Sequence, residues 1–333
     1  MCAGVLVAGV EGRMGQGSIH YAGEPTRKFR HEALFYGGQD VFIERTAPFI
    51  VEAVTQQEPI LVVVSGKKID RLRSEIGPAA DHVEFADMAD VGRNPARIIP
   101  AWHEFLERNG DPDRWCRGIG EPIWAGRTPD ELVECERHES LMNLAFDGAP
   151  PLWLACPYDL LALDPTVIEE AHRTHPLLWD EGDDHRVSEV FPGLEAMAGP
   201  FDRALPEPDE LLREIAFGQR DIPMVRAVVE RAGIDAGLDV TRVEDLVLAA
   251  GEVATNSVCH GGGGGSLRIW QQGEAVVCEI RDGGTIDEPL VGRRSPVEGQ
   301  TSGFGLWLAN QLCDLMQIRS SEAGTVVRLF VAD

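Results

Sequence analysis

Glu252 and Asn256 stand four residues apart in GEVATNSVCHGGGGG (251–265), so on a helix they share one face. A carboxylate and a carboxamide at that spacing suit a site needing a base and an oxygen ligand for Mg²⁺, which prefers oxygen donors and keeps several waters. The apolar residues Val243, Leu246, Val247, Ala250, Val253 and Ala254 define a different face, which turns the polar pair away from the core. The glycine run 261–265 lets the chain turn sharply after it. Asp282 ends the strand-like AVVCEIRD (275–282) and is followed by Gly283 and Gly284. There it can accept a hydrogen bond from an exocyclic amine, while the glycines let a flat base approach the backbone. In TSGFGLWLANQL (301–312), Gly303 and Gly305 precede a helix. Free N–H groups at that helix start, with its dipole, would bind phosphates. No GxxxxGK[ST] loop occurs in the chain, so this is not a Walker site.

The elements that must position these residues are legible around them. From about residue 210, IPMVRAVVERAG (222–233) reads as a helix ending at Gly233, and 241–260 as a second helix. Two alternating strands follow, SLRIWQ (266–271) and AVVCEIRD, then a helix over 302–316. MQIRSS (316–321) and GTVVRLFVA (324–332) read as a final hairpin. An antiparallel sheet carrying helices on one face is the natural α+β arrangement.

In this order the segments resemble the N, G1 and G2 boxes of the GHKL ATPases, and EVATNSVCHG is most similar to the N box of the anti-sigma serine kinases. The resemblance covers roughly 210–333 and implies a GHKL sandwich that binds ATP with Mg²⁺. It assigns Glu252 as general base toward a serine of a partner protein, and Asn256 as the magnesium ligand. It assigns Asp282 and Gly284 to the adenine, Gly303 and Gly305 to the phosphates, and Thr325 to support of the adenine site. The implied partners are a sigma factor and a STAS-type anti-sigma antagonist. The usual G1 box is DxGxG. Here Asp282 is followed by Gly283, Gly284, Thr285 and Ile286, so the second glycine is missing, and the segment leading to the G2 box is short. That departure leaves a non-catalytic partner-holding switch as the alternative reading. A histidine kinase would need paired helices before the ATPase module, and the segment before 210 is acidic linker.

Upstream, strand-like and helix-like runs alternate. ILVVV (60–64), HVEFAD (82–87), WCRGIGEP (115–122) and PLWLACPY (151–158) read as strands. A helix is predicted over 95–108 with Pro95 at its first position, and another over 128–146, where Thr128 and Glu131 form a capping box. Such alternation suggests a doubly wound α/β domain with a parallel sheet. HEALFY (31–36), GRNPARIIPAW (92–102), RGIGEPIW (117–124), HESLMNLAF (138–146) and ACPYDLLALD (155–164) together resemble the MEDS sensory domain over about 29–179. This implies a RecA-like fold, though Lys67 and Lys68 follow the first strand without a P-loop. Arg117, Glu121, His138, Glu139, Cys156, Tyr158 and Asp159 fall at or near predicted strand ends. In open α/β sheets the ligand crevice lies outside the carboxyl ends of the strands. With His31 they form a candidate small-molecule pocket, against the alternative that Arg117, Glu121 and Glu139 form a structural ion-pair network. His31, His138 and Cys156 are metal-binding types without close ligand spacing, which favours hydrogen-bonded structural histidines.

The chain thus reads as a leader (1–28), a sensory domain (29–179), an acidic Pro/Gly linker (180–209) and an ATPase domain (210–333). A formal charge of -25 over 333 residues argues against phosphate backbones and anionic lipid surfaces as direct partners. Seven cysteines without a CxxC pair argue against a disulfide framework and against a structural zinc site, and for a reducing cytoplasm. The apolar first ten residues lack a basic n-region, so no signal peptide is expected. No apolar run is long enough to span a bilayer. A homodimer stays open.

Overall fold

Side-chain alternation on the first strand explains the first domain. In FRHEALFY, Ala33 and Phe35 pack into one apolar cluster and Leu34 and Tyr36 into another on the opposite face. A strand buried on both faces belongs inside a parallel sheet covered by helices on each side. The computed structural model describes residues 28–180, 182, 184–197, 204–296 and 304–333. The predicted leader, apart from Lys28, lies outside the described residues, as does Gly303.

The first domain runs β1 (Phe29–Tyr36), α1 (Gln39–Thr55), β2 (Ile60–Val64), α2 (Gly66–Ile76), β3 (Glu84–Asp87), α3 (Met88–Val91), α4 (Ile98–Asn109), β4 (Cys116–Gly120), α5 (Pro129–Ala145), β5 (Leu152–Asp159), α6 (Pro165–Thr174), β6 (Leu177–Trp179), β7 (His185–Val187) and α7 (Leu194–Met197). The sheet order is β3-β2-β4-β5-β1-β6-β7. All pairings are parallel except β6 with β7. Helices α1 and α2 cover one face through Phe42, Ile50 and Leu72. Helices α4, α5 and α6 cover the other through Trp102, Leu141 and Val167. This is the doubly wound α/β sheet that the alternation predicted.

The second domain runs β8 (Arg213–Gly218), α8 (Ile222–Ala236), α9 (Val240–His260), β9 (Gly264–Gln272), β10 (Ala275–Asp282), α10 (Phe304–Leu312), β11 (Leu315–Ser321) and β12 (Gly324–Val331). Its strands are antiparallel in the order β11-β12-β10-β9-β8. The three helices pack on one face, with Val225, Val229, Leu246, Ala250, Leu306 and Ala309 against sheet residues such as Leu267, Ile280 and Leu329. The expected α+β sandwich is present.

Several boundaries differ from the reading of the sequence. Helix α8 runs past Gly233 and stops at Gly237, whose φ of 86° supplies the left-handed cap. Gly233 instead admits Val243 of α9, which would lie 3.2 Å from an added Cβ. The predicted helix over 302–316 ends at Leu312, because 315–321 is taken by the edge strand β11. Pro95 opens a 3₁₀ turn, capped by Asn94, that leads into α4. The stretch assigned to a linker supplies β7, and its end lies against the open face of the second sheet. There Glu207 pairs with Arg268 and Arg281, and Arg328 donates to the carbonyl of Pro206. Among the described residues no helix is long and apolar enough to cross a membrane.

Candidate functional site

In the second domain, α9 carries both Glu252 and Asn256, and α10 begins beside them. A Cβ added at Gly305 would sit 3.0 Å from Asn256 Nδ2 and 3.2 Å from Glu252 Oε2. A side chain at 305 would crowd the ends of both, so glycine eases the approach of α10 to this pair. Gly305 is thus brought against Glu252 and Asn256, which lie 53 and 49 positions earlier in the chain. At the other end of the site, Asp282 accepts from Ser257 Oγ at 2.6 Å and from Gly284 N at 2.8 Å. Gly261 is pressed against it, since a Cβ there would fall 2.3 Å from Asp282 Cγ. Thr325, paired with Asp282 across β10 and β12, donates through Oγ1 to the carbonyl of Gly284 at 2.8 Å. Ser320 Oγ lies 2.9 Å from Thr325 Oγ1 and accepts from Ile286 N at 2.8 Å. Ser257 and Ser320 were not singled out from the sequence. The signal for Ser257 was its place one residue after Asn256, on the flank of α9 that meets β10.

Glu252 and Asn256 on α9 meet Gly305, and Asp282 at the end of β10 meets Gly261 and Gly284. Glu252, Asn256 and Asp282 are all only part-buried, which leaves them open to a ligand.

The segment after Asp282 does not stay within its own domain. Leu290 is 4% exposed and packs into the apolar cluster of the first domain that contains Trp102 and Leu141. Arg293 Nη2 lies 3.3 Å from Glu134 Oε2 of α5. Arg319 of β11 reaches Glu134 Oε1 at 2.8 Å, and Arg137, one turn along α5, lies 3.5 Å from Glu134 Oε2. Arg137 also donates to the carbonyl of Ile318, and Asn94 Nδ2 donates to Asn310 at 3.1 Å. Helix α5 is thus the main polar bridge between the two halves.

The residues proposed as one sensory pocket fall into three places. Arg117 opens β4 rather than closing it. It is buried at the amino ends of the strands and pairs with Glu58 at 2.5 Å and Glu52 at 2.8 Å, rather than with Glu121 and Glu139 of the network weighed as the alternative. Glu121 and Asp159 lie at the carboxyl ends. Tyr36 donates to Glu121 at 2.7 Å, Lys68 pairs with Glu121, and Asp159 accepts from Gly38 N at 3.1 Å. Burial pushes the Glu121 carboxyl up, against the Lys68 ammonium beside it. Tyr36 and Lys68 were not among the predicted pocket residues, and only the position of Lys68 after a strand hinted at it.

The third place is the core itself. His31 of β1, Glu139 of α5 and Cys156 of β5 come together there, and His175, which sequence reading passed over, joins them. Tyr158 packs edge-on against His175, with ring centroids 5.6 Å apart. His138 points elsewhere than the cluster, and burial pushes its imidazole down to about 3.

Comparison with known proteins agrees with the two-part architecture. The family model of the MEDS domain (MEthanogen/methylotroph, DcmR Sensory domain) matches residues 30–176. The model of the histidine kinase-like ATPase domain matches residues 216–331. No curated protein is matched. Among solved structures, the RsbU and RsbW domains of Rv1364c from Mycobacterium tuberculosis are similar at 19% identity, over 36% of this chain and 33% of that chain, with a TM-score of 0.28. The chain thus spans about a third of that relative's length. With each match lying on its own sheet and core, the chain carries a MEDS domain at residues 30–176 followed by a histidine kinase-like ATPase domain at residues 216–331.

Proposed function

We propose that this chain is a Mg²⁺-ATP-dependent regulator of the anti-sigma type, acting in the cytoplasm. It phosphorylates a serine or threonine of a STAS-type antagonist and, in the alternate state, holds a sigma factor. The observation that carries this reading is the intact pair Glu252 and Asn256, facing the glycine start of α10 in a histidine kinase-like ATPase domain. Asn256 would hold the magnesium ion, Asp282 would accept from the adenine amine, and the backbone around Gly305 would receive the phosphates. Bound Mg²⁺-ATP supplies the phosphoryl group and neutralises its charge. Glu252 would accept the proton of the partner's hydroxyl, and the remaining rate advantage comes from positioning and charge.

The sensory half would act through α5. Glu134 holds Arg293 in the segment between the adenine and phosphate sides of the site, and Leu290 anchors the same segment in the sensory core. A ligand that shifts α5 therefore moves part of the nucleotide site.

A second reading, a partner-holding switch without turnover, is favoured by Ile286, which stands where the G1 box would end in glycine. The two are separated by offering radiolabelled ATP to the full chain with each STAS-domain protein of the source proteome. The kinase reading expects one of them to acquire label on serine or threonine. Glu252→Ala should lower that transfer by about 10²–10⁴-fold, the usual contribution of a general base, with Mg²⁺-ATP affinity kept. No labelled partner from a chain that binds ATP would select the switch.

A further inference from the structure

The buried cluster in the first domain has the composition and geometry of a metal centre. Its four ligand atoms lie within 4.8 Å of one another, and His31, Glu139, Cys156 and His175 are at most 2% exposed. His31 Nε2 is 3.1 Å from Glu139 Oε2, His175 Nε2 is 3.3 Å from the same oxygen, and Cys156 Sγ is 3.4 Å from His31 Nε2. A tetrahedral ion with bonds of about 2.0–2.3 Å to nitrogen, oxygen and sulfur separates its ligands by roughly 3.3–3.6 Å. These three separations are close to those of a coordination shell, and the remaining donors lie within 4.8 Å, near enough to close around an ion.

The surroundings fix which atoms point inward. Asn143 directs Nδ2 at three acceptors, the carbonyls of Glu139, Ser140 and Thr174, at 3.2, 3.3 and 2.8 Å. Its Oδ1 therefore faces His31 Nδ1, 3.2 Å away, which must carry the proton. His175 Nδ1 lies 2.9 Å from the carbonyl of Ala171, an acceptor only, so it too carries its proton. Both imidazoles consequently present an unprotonated Nε2 to the cluster. Ring N–H groups held by a carbonyl or amide oxygen are the usual support of metal-ligating histidines.

Without a cation the arrangement is short of protons. Two Nε2 lone pairs, a carboxylate and a sulfur converge, and one thiol hydrogen is all that the four groups share. Glu139 Oε1 is buried without a hydrogen-bond partner, and His175 Nε2 has only its 3.3 Å approach to Glu139 Oε2, outside hydrogen-bond geometry. Buried polar atoms in that state cost about 1–3 kcal/mol each. A divalent cation bound to thiolate and carboxylate gives a neutral centre and satisfies all four donors. Mixed imidazole and thiolate ligands in a tetrahedron select zinc.

We propose that His31, Glu139, Cys156 and His175 form a Zn²⁺ site in the core of the MEDS domain. It ties β1, α5, β5 and the end of α6 together, with Asn143 as a positioning residue for His31. On binding, the Cys156 S–H bond breaks, sulfur keeps the electron pair, and the proton passes to solvent.

The test is metal analysis of the full chain loaded with Zn²⁺, followed by Co²⁺ substitution and electronic spectra. One zinc per chain is expected, with a sulfur-to-cobalt charge-transfer band and tetrahedral d–d bands in the cobalt form. Cys156→Ser should remove the charge-transfer band. Asn143→Ala, which leaves all four ligands in place, should weaken Zn²⁺ binding tenfold to a hundredfold. X-ray absorption of the wild-type zinc form reads the shell without any variant, and should give two nitrogens, one oxygen and one sulfur. A folded wild-type chain that binds neither ion would overturn the proposal and leave a proton-sharing Glu–His pair. So would a zinc shell without sulfur, or a cobalt spectrum unchanged by Cys156→Ser.

Discussion

The two halves keep their chemistry at different depths. In the MEDS domain, His31, Glu139 and His175 are fully buried and contact one another and neighbouring buried groups such as Asn143 and the Ala171 carbonyl. In the ATPase domain, Glu252, Asn256 and Asp282 are part-buried at the edge of a helix–sheet layer, beside glycines. A buried polar group must be satisfied from within, so the first arrangement is inseparable from the stability of its core. A half-open group can lose its side chain at little structural cost and still be essential to a reaction. The difference teaches that a substitution which destroys activity need not touch stability in the second half, whereas in the first half the two travel together.

The most disruptive way to sharpen that contrast lies at the junction. Glu134 is buried with Arg137, Arg293 and Arg319 around it. Glu134→Ala removes the one buried carboxylate that faces Arg137, Arg293 and Arg319 in these pairs and should destabilise the chain by about 3–5 kcal/mol, read from the urea midpoint. Glu252→Ala should stay within about 0.5 kcal/mol of wild type in the same measurement. Equal effects of the two would break the contrast. A step smaller, Leu290→Ala empties a buried position between the domains and should cost about 2–4 kcal/mol. Because Leu290 belongs to the ATPase domain but packs in the sensory core, its loss should also split a single thermal transition into two. A single unshifted transition would show that the domains are not coupled there.

The smallest effect is a pH dependence in the second domain. Burial pushes the Glu279 carboxyl up, but hydrogen bonds from Arg281 and Arg328 outweigh it and hold the group below the usual carboxylate range. The folded state thus binds the proton more weakly than the unfolded chain. The resulting stability is present above about pH 4.3 and is lost as pH falls through the folded value. Urea midpoints taken from pH 6 down to pH 3 should therefore drop, and drop less steeply in Glu279→Gln. Identical acid limbs would remove Glu279 from the account.

What was legible in the sequence was local. The capping box of α5 is formed as read, with Glu131 N donating to Thr128 Oγ1 and Thr128 N to Glu131 Oε2. The strand 60–64, rich in β-branched residues, and the helix presenting Glu252 and Asn256 likewise follow from periodicity. The strands β1 and β8 were passed over for opposite reasons. His31 and Glu32 break the apolar run of a strand that is nonetheless buried, and REIAFG is a half-exposed edge strand with little hydrophobic signal. The buried cluster was legible only in part, because its four ligands come from separate elements spread over 145 positions of chain, from 31 to 175. Nothing local distinguishes His175 from the exposed end of a helix, and the neighbouring pair His138 and Glu139 made His138 the more conspicuous histidine. The coupling through α5 was invisible for the same reason, since Glu134 meets partners at 293 and 319.

The central claim is that Glu252, Asn256 and Asp282 together make a magnesium nucleotide site. Calorimetric titration of the full chain with Mg²⁺-ATP, alongside Asn256→Ala and Asp282→Asn, tests it most directly. The account predicts micromolar binding by the wild type, lost or weakened by at least tenfold in both variants. Absence of binding by the wild type, or binding unchanged in either variant, would contradict it.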